Sequence, residues 1–169
     1  IDKAGKYAYV GDENDYSDAG NISKPKARVY VIDIDPASPV FHQLVRTIEV
    51  DAAGQGLRHI LVSDDGKLLY LAAPNRNGST VPAPAPGGND LAESRIIVVN
   101  IDPADKPTDP LSNPRKYWQQ IASIKTGQET YGLQSGGSPD RVLFTNRYTD
   151  VEAVGALLVT DAGPLTFAA

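Results

Sequence analysis

Short runs of alternating apolar and polar residues, separated by tight polar turns, make up most of the chain. In the stretch LRHILVSDDGKLLYLAAPN (57–75), two such runs flank a turn at 63–67 that contains Gly66. Alternation with a period of two is typical of β-strands, and a short Gly-containing turn between two such runs predicts a hairpin. No segment with helical periodicity is long enough to predict a helix, so the pattern predicts an all-β chain.

The hairpin recurs along the chain. Similar stretches are AGKYAYVGDEN (4–14) and SPDRVLFTNRYTD (138–150), each with a small or acidic turn, a basic residue, and then an aromatic residue in an apolar run. The aromatic residues of the three stretches are Tyr9, Tyr70 and Phe144, which the repeat alignment treats as equivalent. This recurrence predicts three copies of one structural unit.

The strands that follow the hairpin recur as well. RVYVIDIDPA (28–37) corresponds in residue type, position by position, to RIIVVNIDPA (95–104), and more weakly to GALLVTDAG (155–163). A last strand recurs as LVRTIEV (44–50) and QIASIKT (120–126). Four short strands per unit are the pattern of a β-propeller blade. The nearly continuous apolar runs of the first two copies predict strands that are buried on both faces.

The repeats divide a single domain (1–169) into three units, at 1–50, 57–126 and 130–169. The first is expected to be an incomplete blade without its innermost strand, because IDKAGK resembles the end of a hairpin turn. Three four-stranded antiparallel blades are too few to close a ring, since propellers have about four to eight. We therefore expect a partial β-propeller, a fragment of a larger one, whose remaining blades belong to the same precursor or to another chain. A compact all-β sandwich of the same strands is the alternative.

The quoted repeats resemble a known family. RHILVSDDGKLLYLAAPN (58–75) and SRIIVVNIDPAD (94–105) are similar to the repeat of the YVTN-type and lactonase-like seven-bladed β-propellers, in which an apolar strand is followed by SPDGK, LYVAN and VSVID. The resemblance covers most of the chain. It implies the fold more specifically than the function, because this group includes sugar lactonases, cofactor-binding dehydrogenases and surface proteins without enzymatic activity.

Composition narrows the classes of function. The net charge is −5 and no stretch is rich in Lys and Arg, so neither nucleic acid nor an anionic membrane surface is expected as a partner. No apolar stretch approaches the roughly 20 residues that span a bilayer. The absence of Cys and Met excludes disulfides and thiolate sites, and indicates a processed product or a fragment. With many Pro and Gly residues, this composition favours a bacterial-type exported protein that is extracellular, cell-surface or periplasmic.

The first long insertion between strands is acidic. The stretch GDENDYSDAGNISKPK (11–26) places six carboxylate or amide side chains within ten residues, which is a density that suits Ca²⁺. The spacing is not that of an EF-hand, because Ser23 stands where a bidentate Glu is required. The alternative is a solvated loop whose side chains cap its own backbone. The residues proposed as calcium ligands are Asp12, Asn14, Asp15 and Asp18.

The second long insertion, PNRNGSTVPAPAPGGNDLAES (74–94), contains Pro-Ala repeats followed by Gly-Gly. Pro-Ala segments favour polyproline II and Gly-Gly provides a hinge, so this stretch predicts a flap, a partner-docking arm or a simple surface excursion. A third Pro-rich stretch at 102–118 is expected at the opposite face of the blades. The single Trp, Trp118, is expected to pack beneath it.

Arg58 and His59 are the most specific candidates for chemistry. The resemblance implies that Arg and His at this position of a lactonase-like propeller hold an anionic substrate and polarise its ester. His59 could act as a general acid or base, and Arg58 could bind a carboxylate bidentately. A structural role for His59 is the alternative, because the next unit has Tyr131 and Gly132 here and no acidic partner can be assigned. Further polar residues leave the second strands at the same face: Asn75, Arg76, Asn146 and Arg147.

Two classes of function follow. The chain lacks the order of a Ser-His-Asp triad, a glycine-rich phosphate loop and the His spacing of a zinc site. The first expectation is therefore a non-enzymatic propeller scaffold that presents long loops to a protein, a glycan or a cation such as Ca²⁺. The alternatives are a lactonase-like hydrolase that acts on a small anionic lactone or sugar, and a propeller domain of a redox enzyme.

Overall fold

A computed structural model describes residues 1–12, 27–50, 56–74, 94–106, 117–127, 130–138, 141–146, 154–158 and 166–168. One 3₁₀ turn lies at Pro103–Asp105. Within these ranges no helix has the length and hydropathy needed to cross a membrane. The strands are β1 Tyr7–Gly11, β2 Ala27–Asp33, β3 Leu44–Val50, β4 His59–Val62, β5 Leu68–Ala73, β6 Ser94–Asn100, β7 Gln119–Gly127, β8 Thr130–Ser135, β9 Arg141–Asn146, β10 Val154–Leu158 and β11 Thr166–Ala168.

The strands form three successive antiparallel sheets, each with its strands side by side in chain order. Sheet 1 has the order β1-β2-β3, sheet 2 the order β4-β5-β6-β7, and sheet 3 the order β8-β9-β10-β11. All strand pairs are antiparallel. The predicted fold class is confirmed: the described chain is all-β and has the architecture of a partial propeller, with sheets that do not close on each other.

Both faces of sheet 2 are buried. Successive residues of its strands point to opposite faces. The odd-numbered positions of its middle strands, such as Leu71 and Ile97, pack with the core residues of sheet 1. The even-numbered positions, such as Tyr70 and Ile96, pack with Leu133, Val142 and Phe144 of sheet 3. Successive sheets therefore stack face to face, with the apolar run of β6 filling both interfaces.

The middle strand of sheet 1 differs from the expectation that both of its faces are buried. Val29 and Val31 of β2 are fully buried against sheet 2, whereas Arg28 is exposed and Tyr30 is partly exposed. The opposite face of β2 is covered by no other sheet among the described residues, because sheet 1 stands at the end of the stack. The prediction holds for β6 and is wrong for β2.

The turn at the start of sheet 1 has the same pattern of hydrogen bonds as the hairpin turn of sheet 2. The Ser63 hydroxyl accepts from the backbone N–H groups of Lys67 at 3.1 Å and Leu68 at 2.9 Å. The Asp2 carboxylate does the same for Lys6 at 2.7 Å and Tyr7 at 2.9 Å. Both turns contain a Gly with positive φ, +68° at Gly5 and +76° at Gly66, which only glycine adopts without strain. The stretch 2–7 is thus the same structural turn as 63–68.

The ends of β2 and β6 share a second repeated feature, which we call the strand-end corner. In the second unit, the buried Asn100 side chain accepts from the Asp102 N–H at 2.9 Å and donates to the Asp105 carboxylate at 2.9 Å. In the first unit, the Asp33 carboxylate accepts from the Asp35 N–H at 3.0 Å and from the Ser38 hydroxyl at 2.9 Å. Each corner therefore ties the end of a strand to the following DPA turn by a side-chain pair.

A left-handed residue completes each corner. The N–H of His42 donates to the Asp33 carbonyl at 2.8 Å, and that of Trp118 donates to the Asn100 carbonyl at 2.7 Å. Their φ angles are +63° and +55°, which is uncommon for residues other than glycine. The agreement between two unrelated side chains indicates that the backbone hydrogen bonds of the corner, rather than the residue type, set this conformation.

The third hairpin follows a different register from the one that the repeat alignment predicts. Its turn is closed by the Gly136 N–H, which donates to the Arg141 carbonyl, just as the Ser63 N–H donates to the Leu68 carbonyl in sheet 2. When these two hydrogen bonds are treated as equivalent, the residues of the third hairpin are shifted by one position relative to the alignment that matches the aromatic residues. A shift of one position exchanges the two faces of a strand.

The shift changes which residue of β9 faces which neighbour. Phe144 packs back against sheet 2, and Leu143 occupies the place that Tyr70 has in sheet 2. The equivalence of Phe144 with Tyr9 and Tyr70 is therefore wrong.

This register has a direct test in neighbouring residues. Phe144→Ala should lower the free energy of unfolding by about 3–5 kcal/mol, because the ring is buried between sheets 2 and 3 and its removal leaves a cavity. The matched control Leu143→Ala should cost less than about 1 kcal/mol, since that side chain is on the exposed face. Denaturant titration measures both values, and a larger loss for Leu143→Ala would contradict the face assignment.

Candidate functional site

Five inter-strand connections meet at one edge of the stack, which we call the loop edge. Here β1, β5 and β9 end, β2, β6 and β10 begin, and the chain passes from one sheet to the next. The sheets are joined along this edge, since the Leu57 N–H donates to the Asp12 carbonyl at 2.8 Å. Gly11 allows the close approach, because a Cβ there would lie 3.0 Å from Ile60 Cδ1. The long insertions at 13–26 and 75–93 therefore leave the stack on the same side.

His59 begins β4 at the loop edge and connects sheet 2 to sheet 3. Its Nδ1 atom accepts a hydrogen bond from the Leu133 N–H at 3.4 Å, although the side chain itself is exposed. When Nδ1 of a neutral imidazole accepts, the proton resides on Nε2. The ring therefore has a structural contact at one nitrogen and a donor at the other.

Arg58 precedes His59 and extends the same ladder, since its N–H donates to the Ala72 carbonyl at 2.9 Å. Its side chain is half-buried, and its Nε atom is inaccessible to water. Arg58 and His59 both lie opposite Ala72, a two-to-one pattern typical of a β-bulge, so the alternation of β4 does not extend to Arg58. The two residues lie side by side at the loop edge.

A second polar contact lies at the crossing from sheet 2 to sheet 3. The hydroxyl groups of Thr126 and Thr130 are hydrogen-bonded to each other, and both residues are buried. They hold the end of β7 to the start of β8. Like His59, they use polar groups of the loop edge to fix one sheet against the next.

The other predicted site residues are placed only in part. Asp12 is half-buried beside β1, with its N–H on the Arg28 carbonyl at 2.9 Å, and Asn146 ends β9 opposite Thr130. No group of three His, Asp or Glu side chains that could hold a metal ion occurs in the described ranges. The remaining predicted residues lie outside those ranges: Asn14, Asp15, Asp18, Asn75, Arg76 and Arg147.

The opposite edge, the turn edge, carries an aromatic cluster that the sequence did not predict as a unit. The ring of Trp118 stacks on Tyr117 at 4.6 Å and meets Tyr7 edge-on at 5.3 Å, between sheets 1 and 2. The indole N–H of Trp118 is buried without a well-formed hydrogen bond, although the Tyr9 hydroxyl lies close enough to interact with it. Trp118 thus packs between two sheets. The stretch 107–116, beneath which it was expected to pack, lies outside the described residues.

Burial controls the protonation of this cluster. It raises the pKa of Tyr9 to about 12, against a smaller opposing effect of the Trp118 side chain. Burial also raises the pKa of Tyr117, with nearby Tyr9 acting in the same direction. The pKa of Tyr7 is raised by burial and then by the negative charge of Asp33. All three rings are therefore neutral at physiological pH and act as apolar packing groups.

Comparison with known proteins found no match for this chain: it matches no protein-family model, and no curated protein is similar to it in sequence. The class that the structure defines is an all-β stack of three antiparallel sheets, with the crossings between sheets at one edge and the hairpin turns and strand-end corners at the other.

The aromatic cluster predicts a loss of stability at high pH. Tyr9 stays protonated in the folded protein up to about pH 12, whereas a tyrosine of the unfolded chain ionises near pH 10. The unfolded state binds fewer protons in this window, so the free energy of unfolding decreases as the pH rises from about 10 to 12. Denaturant titration of the wild type and Tyr9→Phe should show a difference of about 1–2 kcal/mol in this decrease. Equal slopes for the two proteins would contradict the burial of the Tyr9 hydroxyl.

The contact of His59 predicts a modest structural role. His59→Ala should lower the free energy of unfolding by about 0.5–1.5 kcal/mol, because the Leu133 N–H loses its acceptor. His42→Ala is the control, since His42 is exposed and stacks only on the neighbouring Phe41 ring. That change should cost less than about 0.5 kcal/mol. Equal stability of wild type and His59→Ala would show that the imidazole does not hold sheet 3.

Proposed function

We propose that this chain is a non-enzymatic binding module, a propeller-type scaffold of the YVTN-type and lactonase-like kind from an exported or cell-surface protein. Its loop edge is the ligand face, and the long loops that leave it bind a protein or glycan with Ca²⁺ as an ordering cation. The resemblance of the repeats supports the family, and the Cys-free acidic composition supports export.

One observation carries the proposal. The connections at 13–26, 75–93 and 147–153 all run between strand ends at the loop edge, where the chain also crosses from sheet to sheet, whereas the turn edge has the hairpin turns and one long connection, at 101–118. Long loops on a rigid scaffold are where proteins place binding residues. The sheets are fixed to each other by the Leu57–Asp12 and Leu133–His59 contacts, so the strand ends at the loop edge are held in a constant relation.

The acidic character of the first connection supports the cation. Asp12 anchors that connection at the loop edge through two backbone hydrogen bonds, to Arg28 and from Leu57. The next residues in sequence supply further carboxylate and amide oxygens, which are the ligands that Ca²⁺ prefers. Binding of Ca²⁺ would replace the mutual repulsion of these carboxylates by attraction to one ion.

Calcium titration tests this proposal. Ca²⁺ should raise the melting temperature, because a ligand at about 100 times its dissociation constant stabilises the folded state by roughly 2.7 kcal/mol. Addition of a chelator should reverse the shift, and the double variant Asp15→Ala, Asp18→Ala should abolish it. Glu49→Ala, which removes an exposed carboxylate from β3, is the control and should keep the response. A melting temperature that is insensitive to Ca²⁺ in all of these proteins would contradict the cation site.

The lactonase-like hydrolase is the second candidate, and one observation favours it. The exposed His59 ring has a proton donor at Nε2 on the loop edge, where it could donate to a leaving group. The binding module predicts no hydrolysis of a small anionic sugar lactone above the uncatalysed rate, measured by proton release. Turnover that His59→Ala removes while the variant remains folded would instead establish the hydrolase.

A further inference from the structure

The exposed apolar side chains of the described chain are concentrated at the two ends of the sheet stack. Those of sheet 1 and its turns include Val10 and Leu44, which are 46% and 57% exposed. Those of sheet 3 are Tyr131 and Leu143, which are 43% and 37% exposed. The middle sheet contributes Ile121 alone to the large exposed hydrophobic residues of the described chain. Of the eight large exposed hydrophobic residues of the described chain, four therefore lie on strands of the two end sheets, and Ile1, Val40 and Phe41 lie in segments that flank the strands of sheet 1.

The free face of sheet 1 has the same construction as a face that is fully buried elsewhere in the molecule. Val10 of β1 is paired with Tyr30 of β2 in the same register in which Leu71 of β5 is paired with Ile97 of β6. Leu71 and Ile97 are completely buried, because sheet 1 packs on that face of sheet 2. The free face of sheet 1 is thus of the type that receives a preceding sheet.

The free face of sheet 3 is of the complementary type. The matching hydrogen bonds of the two hairpin turns place Leu143 at the position of Tyr70, which is completely buried against sheet 3. On this face Leu143 is bordered by the exposed polar residues Gln134, Arg141 and Thr145, which share its side of the sheet by alternation and register. An apolar centre with a polar surround is the usual composition of a protein–protein interface.

We propose that the free face of sheet 3 in one copy of this chain packs on the free face of sheet 1 in a second copy, so that the chain self-associates head to tail. The new interface would repeat the face-to-face packing already seen twice within the chain, from sheet 1 to sheet 2 and from sheet 2 to sheet 3. The second copy is the occupant that the structure supports best, because it brings the complementary face in the same molecule.

The two contacting surfaces differ, so the interface is heterologous. A heterologous interface has one free face left at each end, and it either closes into a ring or continues as an open assembly. It also makes a prediction that an isologous dimer does not make. Two variants that are each defective on a different face must still form one contact when they are mixed.

Sedimentation velocity of the purified chain over a range of concentrations tests the proposal. The wild type should associate with increasing concentration, and Val10→Glu and Leu143→Glu should each remain monomeric, since each disables one side of every contact. An equimolar mixture of these two variants should form a dimer and nothing larger. Leu44→Glu should reproduce the effect of Val10→Glu, which guards against a folding defect in one variant.

Ile121→Glu is the matched control. Ile121 is 46% exposed, the same as Val10, but it lies on β7 outside both free faces. This variant should associate like the wild type. A wild type that stays monomeric at all concentrations, a mixture that does not dimerise, or an equal loss of association in Ile121→Glu would each overturn the proposal.

Discussion

The strands β5 and β6 are covered on both faces, and the rest of the described structure depends on this double burial. Every apolar position of these strands has a partner, either in sheet 1 or in sheet 3. At roughly 25 cal/mol per Å² of buried apolar surface, a fully buried Leu, Ile or Val contributes about 1.5–3 kcal/mol. The middle sheet therefore cannot exist alone, and its neighbours gain their own burial only by packing on it. Each sheet is therefore stabilised by its interface with a neighbouring sheet, as in repeat proteins.

The hydrogen bonds serve a different purpose from this burial. The turns at 2–7 and 63–68 and the strand-end corners fix where each strand begins and ends, which determines the register of the apolar positions. The Lys6–Asp35 and Lys67–Asp102 ion pairs, at 3.6 Å and 3.5 Å, repeat between the units but are exposed and add little energy. Register, rather than the number of polar contacts, is what these repeated motifs contribute.

The strands were predictable from the alternation of apolar residues, and so were the repeats of the first two units. The third unit was misaligned because matching Phe144 to Tyr70 places Gly137 at the position of Ser63, while the turn is closed one step earlier by the backbone of Gly136. An error of one position reverses the faces of a strand, and no pattern of residue types reveals it.

The candidate site was predictable to a similar degree. The structure places Arg58 and His59 at the loop edge, and the contact of His59 with Leu133 could not be foreseen because it depends on the packing of sheet 3. The cluster of Tyr7 and Trp118 joins residues from two sheets, so its signal lies in tertiary packing and not in local sequence.

The two strand-end corners make the same contact between strand and turn, but the donor and the acceptor are exchanged. In the first, a carboxylate on the strand accepts from a hydroxyl on the turn, and in the second, an amide on the strand donates to a carboxylate on the turn. The two pairs differ in tolerance, because a hydroxyl can donate or accept whereas a carboxylate only accepts. An Asn at position 33 could still donate to Ser38, but an Asp at position 100 would face the Asp105 carboxylate with no proton between them. The strand and turn positions of the second corner must therefore change together in evolution, and a designer who recombines these units has to transplant that pair as one element.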